Sequence, residues 1–279
     1  MLDEMSYKEP ECSLCGGKQF YNKELDLPLG NVPVGRIIDK LDQCFDKNDL
    51  VSAEKLLCYW HEEAVKLNDK KGEISILNEQ VGLYRKIANK TKALKTIERL
   101  NYLFSLIDTK DSVSIATIYL NMATTLKSFG YLDKAINLYD KTYEIYSKKL
   151  DKKDLMFAGY YNNRALTLTS LKRYEEAIKC YDNALEIVLF HDKLSLDGAI
   201  TYVNKAHLME EYKKDSNKLV QELLSKASDI LLNEKIEKTG YYAFVLSKCY
   251  PSFEQFQRME EANKMKTLSE QIYERARNI

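Results

Sequence analysis

Leu126–Ile145, LKSFGYLDKAINLYDKTYEI, and Leu168–Ile187, LTSLKRYEEAIKCYDNALEI, are two copies of one pattern, 42 residues apart (168 − 126). At that offset Tyr119 matches Tyr161, Asn121 matches Asn163 and Ala123 matches Ala165. Leu126, Ala135, Ile136, Tyr139, Asp140 and Ile145 likewise return as Leu168, Ala177, Ile178, Tyr181, Asp182 and Ile187, without a gap. Ungapped self-similarity at a fixed period marks a repeat architecture, in which each unit buries its apolar face against the next.

The register extends in both directions. One period back, Ala93 in NKTKALKTIERL takes the place of Ala135. Forward, TYVNKAHLM around Ala206 repeats YYNNRALTL around Ala165, one residue short of the period. LLSKASDILL around Ala227 supplies the second half, after a small insertion near Lys214–Lys218. Residues 35–67 and 239–277 read as weaker copies, as expected of end units that must face water on one side. Each copy carries two apolar runs at helical spacing: Tyr161, Ala165 and Leu168, then Ala177, Tyr181, Ala184 and Ile187. The short polar SLKRYEE between them predicts a tight turn, and Gly130 supplies a left-handed residue at the corresponding turn one copy earlier. Ala123 with Ala135, and Ala165 with Ala177, are predicted where paired helices approach most closely; Tyr139 and Tyr181 fill space toward the neighbouring copy.

A small residue, an Ala twelve on, an aromatic four further and a small residue three beyond that resembles the tetratricopeptide repeat. It stands here as Ala165, Ala177, Tyr181 and Ala184, and as Ala123, Ala135, Tyr139 and Thr142. The resemblance implies an all-α fold: a right-handed α-solenoid of about six helix-turn-helix repeats. These are expected at roughly 35–68, 73–107, 112–149, 154–190, 196–233 and 238–277, after an irregular segment 1–34. A period of 42 rather than about 34 residues adds about one turn to each helix and so preserves the inward face. Repeats of this length are similar to those of kinesin light chains and of bacterial peptide-sensing regulators.

In such a solenoid the first helix of each repeat lines a concave groove. Asn121, Asn163 and Asn204 each precede the small packing residue by two positions, and Asn78 holds the same place, to within one residue, in the copy before. Asn is a mediocre helix-interior residue whose amide both donates and accepts, so a row of them suits the backbone of an extended peptide. The resemblance to long-repeat proteins implies that use; bonding between neighbouring helices to set repeat geometry explains the row equally well. Asn162, Thr124 and Lys127 are flanking candidates. YYNNRAL also resembles the segment of cochaperone domains that grips a C-terminal carboxylate, with Asn163 at the clamp position. The clamp's cations are missing, however: Asn204 stands where an Arg is expected and Ile200 where a Lys is expected.

Cys12 and Cys15 form a C-x-x-C, and Cys58 and His61, one turn apart on a helix, are the nearest source of a second ligand pair for zinc. A reduced pair of ordinary thiols accounts for the motif as well. The three His, at 61, 191 and 207, lie on different repeats without a metalloprotease or nucleophile-elbow context, and no glycine-rich phosphate loop occurs. Glu175–Glu176 and Glu260–Glu261 fall at predicted helix starts, where the dipole accounts for them. No enzyme and no cofactor are expected. The 42 basic and 42 acidic residues cancel, which argues against nucleic acid as partner. No apolar run approaches a membrane span, and the N-terminus does not read as a signal peptide, so a cytoplasmic protein is expected. The expected function is a non-catalytic scaffold that holds a protein or extended peptide. The alternative is a peptide-responsive regulator that changes superhelical pitch.

Overall fold

A computed structural model describes residues 28–107, 112–213 and 215–277. Among these residues there are twelve α-helices: α1 (Val34–Asp46), α2 (Leu50–Lys66), α3 (Lys70–Lys86), α4 (Lys90–Ser105), α5 (Val113–Ser128) and α6 (Leu132–Lys149), followed by α7 (Leu155–Ser170), α8 (Tyr174–His191), α9 (Leu196–Tyr212), α10 (Asn217–Leu231), α11 (Gly240–Gln255) and α12 (Met259–Arg277). Odd and even helices pair in order as hairpins, giving an α-solenoid of six repeats. First helices start at Val34, Lys70, Val113, Leu155, Leu196 and Gly240, so the spacing near 42 holds through the middle and contracts at the first repeat. That contraction has a simple cause: α2 and α3 are joined by the same three-residue turn that joins helices within a repeat.

One turn geometry recurs six times. Asn48, Asn68, Ala88, Gly130, Lys172 and Gln257 each sit two residues past a helix end with φ between 53° and 85°. The next residue's N–H then reaches back to a carbonyl inside the finished helix, as in Asp49 to Cys44 (2.8 Å), Asn89 to Tyr84 (2.9 Å) and Arg173 to Leu168 (2.9 Å). The left-handed residue thereby satisfies carbonyls that a helix terminus leaves open. Only Gly130 takes this conformation without steric penalty.

The residue three past the start of each second helix is Ala53, Ala93, Ala135, Ala177, Val220 or Ala262, and all are buried. A methyl group there lets the paired backbones close, and the exception, Val220, follows the lengthened α9–α10 connection. Tyr139 and Tyr181 are fully buried, as the repeat pattern predicts. Hydroxyls tie two pairs together: Thr142 Oγ1 donates to the Ala116 carbonyl (3.2 Å) and Ser269 Oγ to the Ala243 carbonyl (2.8 Å). In both cases the second helix bonds the first of its own repeat.

Residues 28–33 lie along the α2–α3 corner. Leu29 N–H donates to the Leu67 carbonyl (2.8 Å), and Val32 N–H to Asp69 Oδ2 (2.9 Å). Asp69 Oδ1 meanwhile caps α3 through Gly72 N–H (2.9 Å), so one buried carboxylate fixes both segments. The first helices touch in succession, α1 to α3, α3 to α5 and on to α11, and α11 returns to α1. The inner wall therefore closes on itself.

Candidate binding surface

The asparagines of the repeat lie on α3, α5, α7 and α9, all half-buried on the inner wall. They bond one another across helices. Asn121 Nδ2 donates to Asn78 Oδ1 (2.8 Å), and Asn204 Nδ2 donates to Asn162 Oδ1 (3.1 Å). Asn78 Nδ2 in turn donates to Glu79 Oε1 (3.0 Å). Asn163, although in phase with Asn121, turns back to the Gly159 carbonyl of its own helix (2.8 Å). Its neighbour Asn162 is the α7 residue that meets Asn204. The row thus consists of two bonded pairs with a break between α5 and α7.

The bonds leave capacity for a ligand. An Asn amide offers two donors and a carbonyl with two lone pairs, so Asn121 and Asn204 each keep a carbonyl oxygen and one N–H beyond the pair bond. Thr124 Oγ1 is committed to the Leu120 carbonyl (2.9 Å) and lies 3.4 Å from the Tyr139 hydroxyl. Lys127 forms no ion pair among the described residues, and burial pushes its ammonium below the ordinary lysine range. Burial likewise pushes the guanidinium of Arg85, six residues beyond Glu79 on α3, below the ordinary arginine range. Sequence reading did not single it out, because an Arg in the last turn of a helix is fully explained by the dipole.

The other candidates separate. Cys12 and Cys15 lie outside the described residues. Cys58 Sγ is 3.8 Å from the Tyr84 hydroxyl, and His61 Nε2 is 3.1 Å from Glu73 Oε1. No cluster of three or more His, Cys, Asp or Glu placed to hold a metal ion occurs among the described residues. His207 lies 2.8 Å from Ser252 Oγ, beneath the Phe256 ring, and His191 touches the Lys153 carbonyl. The three imidazoles therefore share no site. Glu175, Glu176, Glu260 and Glu261 occupy first turns of α8 and α12. No helix among the described residues is long and apolar enough to cross a membrane.

A tetratricopeptide-repeat profile matches residues 158–187, from Ala158 in α7 to Ile187 in α8. Among solved structures, BtubC (BKLC) of P. vanneervenii is similar at 17% identity and a TM-score of 0.52, over 89% of this chain and 94% of that one. A Podosopora anserina protein described as a kinesin light chain with nearly identical TPR-like repeats is similar at 12% identity and a TM-score of 0.50, over 70% of this chain and 92% of that one. A variant of it gives a TM-score of 0.51 over 73% and 95% of the two chains. At these identities the likeness is one of fold, and it is the fold that the 42-residue register implies. No curated protein matches the sequence.

Proposed function

We propose that this solenoid of tetratricopeptide-type repeats is a non-catalytic scaffold that holds an extended peptide against its inner wall. Tetratricopeptide-type folds serve as protein-interaction scaffolds, and the amide row supports the narrower reading. The observation that carries it is the placement of half-buried asparagines on four consecutive inner helices, Asn78, Asn121, Asn162 and Asn204 bonded in two pairs across helices and Asn163 beside them on α7. Their unused donors and acceptors match the alternation of N–H and C=O along an extended backbone. Interior helical Asn carries no propensity advantage, so repetition of the choice calls for a reason beyond helix formation. A reducing cytoplasmic setting suits the free thiols of Cys44, Cys58, Cys180 and Cys249.

The test is selection of peptides from a displayed random library, followed by binding measurements on the winners with purified protein. Replacing Asn121 and Asn163 together by Ala is expected to weaken capture about tenfold or more, roughly 1.4 kcal/mol. The melting temperature should move little, because half-exposed neutral hydrogen bonds contribute only about 1 kcal/mol each. Unchanged affinity, or a collapse of stability with no separable binding defect, sinks the peptide-holding role and leaves the amides as spacers of the helices.

The return of α11 to α1 favours a second reading, in which a peptide shifts superhelical pitch and so regulates another contact. A ligand wedged against that junction would part the two ends. Solution scattering with and without a selected peptide separates the cases: a change in radius of gyration supports regulation, and an unchanged profile supports a rigid scaffold.

A further inference from the structure

A cavity of about 440 Å³ lies beside the junction where α1 and α11 meet. Arg85 and Lys86 from the end of α3 and Lys248 from α11 line it, together with Asn78 and Asn121 of the amide row. None of the three cations forms an ion pair or a hydrogen bond among the described residues. Lys86 Nζ is held instead between two aromatic faces, 4.8 Å from the centroid of Phe45 and 4.9 Å from that of Phe244. Lys248 Nζ approaches the same Phe244 ring at 5.6 Å. Burial, and then repulsion from Lys248, push the Lys86 ammonium below its ordinary range.

One carboxylate, Glu79, is also in the lining, but it forms no ion pair with the cations: its hydrogen bond is from the Asn78 amide, 3.0 Å away. Asp42 and Asp46 line the adjoining cavity with Lys86, also without an ion pair to it. Burial, reinforced by Asp42, raises its pKa above the ordinary range despite the Asn78 bond. Two ammoniums around one ring and a guanidinium without an acid form an arrangement that folding alone does not reward. Arg85 and Lys86, partly desolvated and without an ion-pair partner, cost stability, and the exposed Lys248 adds its repulsion to Lys86. An anion delivered from outside offsets the charge of all three.

We propose that this cavity recognises a carboxylate of a bound acidic peptide, an inference that rests on the peptide-holding reading of the inner wall. Arg85 offers a forked pair of donors, Lys86 and Lys248 offer charge, and the Asn121 amide continues the contact onto the adjoining backbone. Phe45 and Phe244 exclude water around the charges. Glu79 makes a singly charged carboxylate a better fit than a dianionic phosphate, since like-charge repulsion grows with the ligand's charge. The site differs from a cochaperone carboxylate clamp in its residues and its place, because it needs the first and last repeats together.

The probes are short peptides carrying an uncharged dye: alternating Ala and Glu with an amidated C-terminus, its Gln-for-Glu counterpart, an all-Ala peptide with a free C-terminus, and a phosphoserine peptide. Anisotropy with the full chain is expected to show binding of one of the two carboxylate peptides and not of the Gln peptide. Which of them binds distinguishes a side-chain from a terminal carboxylate. Arg85→Gln and, separately, the exposed Lys248→Gln are expected to weaken that binding about tenfold or more. Their melting temperatures should be unchanged or higher, the opposite of a structural role. No carboxylate binding, binding indifferent to both substitutions, or tighter binding of the phosphoserine peptide overturns the proposal. If the Asn121→Ala/Asn163→Ala protein loses the peptide while Arg85→Gln and Lys248→Gln keep it, the inner-wall reading stands and the carboxylate site falls. If none of the variants loses it, both fall.

Discussion

Replacing Glu73 by Gln probes the most heavily committed buried charge in the array. Glu73 stands in the first turn of α3 at 3% exposure. Its carboxylate accepts from Arg99 Nε (2.7 Å) and Nη2 (3.1 Å) and lies 3.1 Å from His61 Nε2, so it joins α2, α3 and α4. Gln keeps the volume but sets an NH₂ group against a guanidinium donor. A hydrogen bond to a charged group is worth about 1.5–3 kcal/mol, and removing one member of a buried pair costs about 3–5 kcal/mol. Arg99 remains partly exposed and can turn to water, which places the loss at the lower end, about 2–3 kcal/mol. For a chain of this size that lowers the melting temperature by roughly 4–10 °C. Burial alone would raise the Glu73 carboxyl, but the His61 and Arg99 hydrogen bonds outweigh it and hold the pKa below the ordinary range. A depressed folded-state pKa gives stability that is complete above the unfolded value and lost as pH falls through the folded one. Melts followed by far-UV circular dichroism should therefore show the widest gap between wild type and Glu73→Gln at neutral pH. The gap should close once pH drops well below about 4.3. A variant within about 0.5 kcal/mol of wild type at pH 7, the range of ordinary surface changes, or a gap that ignores pH, refutes the reasoning.

Three further outcomes follow from local geometry. Ala88→Gly, at φ 54°, should stabilise the protein by about 0.5–1 kcal/mol in denaturant titration, because the left-handed penalty exceeds the entropy Gly adds to the unfolded chain. Gly240→Ala should loosen the closure, since the added Cβ would stand 2.8 Å from Asp46 Cα; faster amide exchange in α1 and α11 is the readout, and unchanged exchange counts against the closure. Burial pushes the Cys249 thiol up to about 12, so a thiol reagent at pH 8 should label it only after unfolding, and prompt labelling of the native protein contradicts its placement.

What was legible in the sequence was whatever the repeat writes into each copy. Ala135 and Ala177 declare a close approach, and Tyr139 and Tyr181 a filled interface, because all four are fully buried where the pattern repeats in phase. The turns were legible only in part. Among the described residues six turn positions are left-handed: Gly130, Asn48 and Asn68 have side chains that suit the conformation, whereas Ala88, Lys172 and Gln257 give no sign of it. Nothing in the sequence sets Glu73 apart from other acidic residues near helix starts; its burial depends on where α2 and α4 lie. The choice between Asn162 and Asn163 is a rotation of about 100° on one helix, finer than repeat phase can resolve. The closure of α11 on α1 has no local signature at all, since it accumulates from the small rotation between each repeat and the next.

That closure changes what the amide row can be. In an open solenoid, a run of equivalent Asn residues offers a continuous track, and a ligand of any length can extend along it. Here the two bonded pairs, Asn78–Asn121 and Asn162–Asn204, are separated by the turn of Asn163 toward Gly159, and the first pair opens into the cavity beside the junction. A peptide on the first pair therefore reaches Arg85, Lys86 and Lys248 within the same cavity, whereas one on the second pair does not. Neutral amide bonds at half-exposed sites contribute about 1 kcal/mol each and discriminate little between ligands, while desolvated charge discriminates strongly. On the proposed reading, affinity along the wall comes from either pair, whereas selectivity comes from the end where the cations are. A ligand's charge, more than its length, would then decide which peptide is held, and that is the outcome the labelled peptides test.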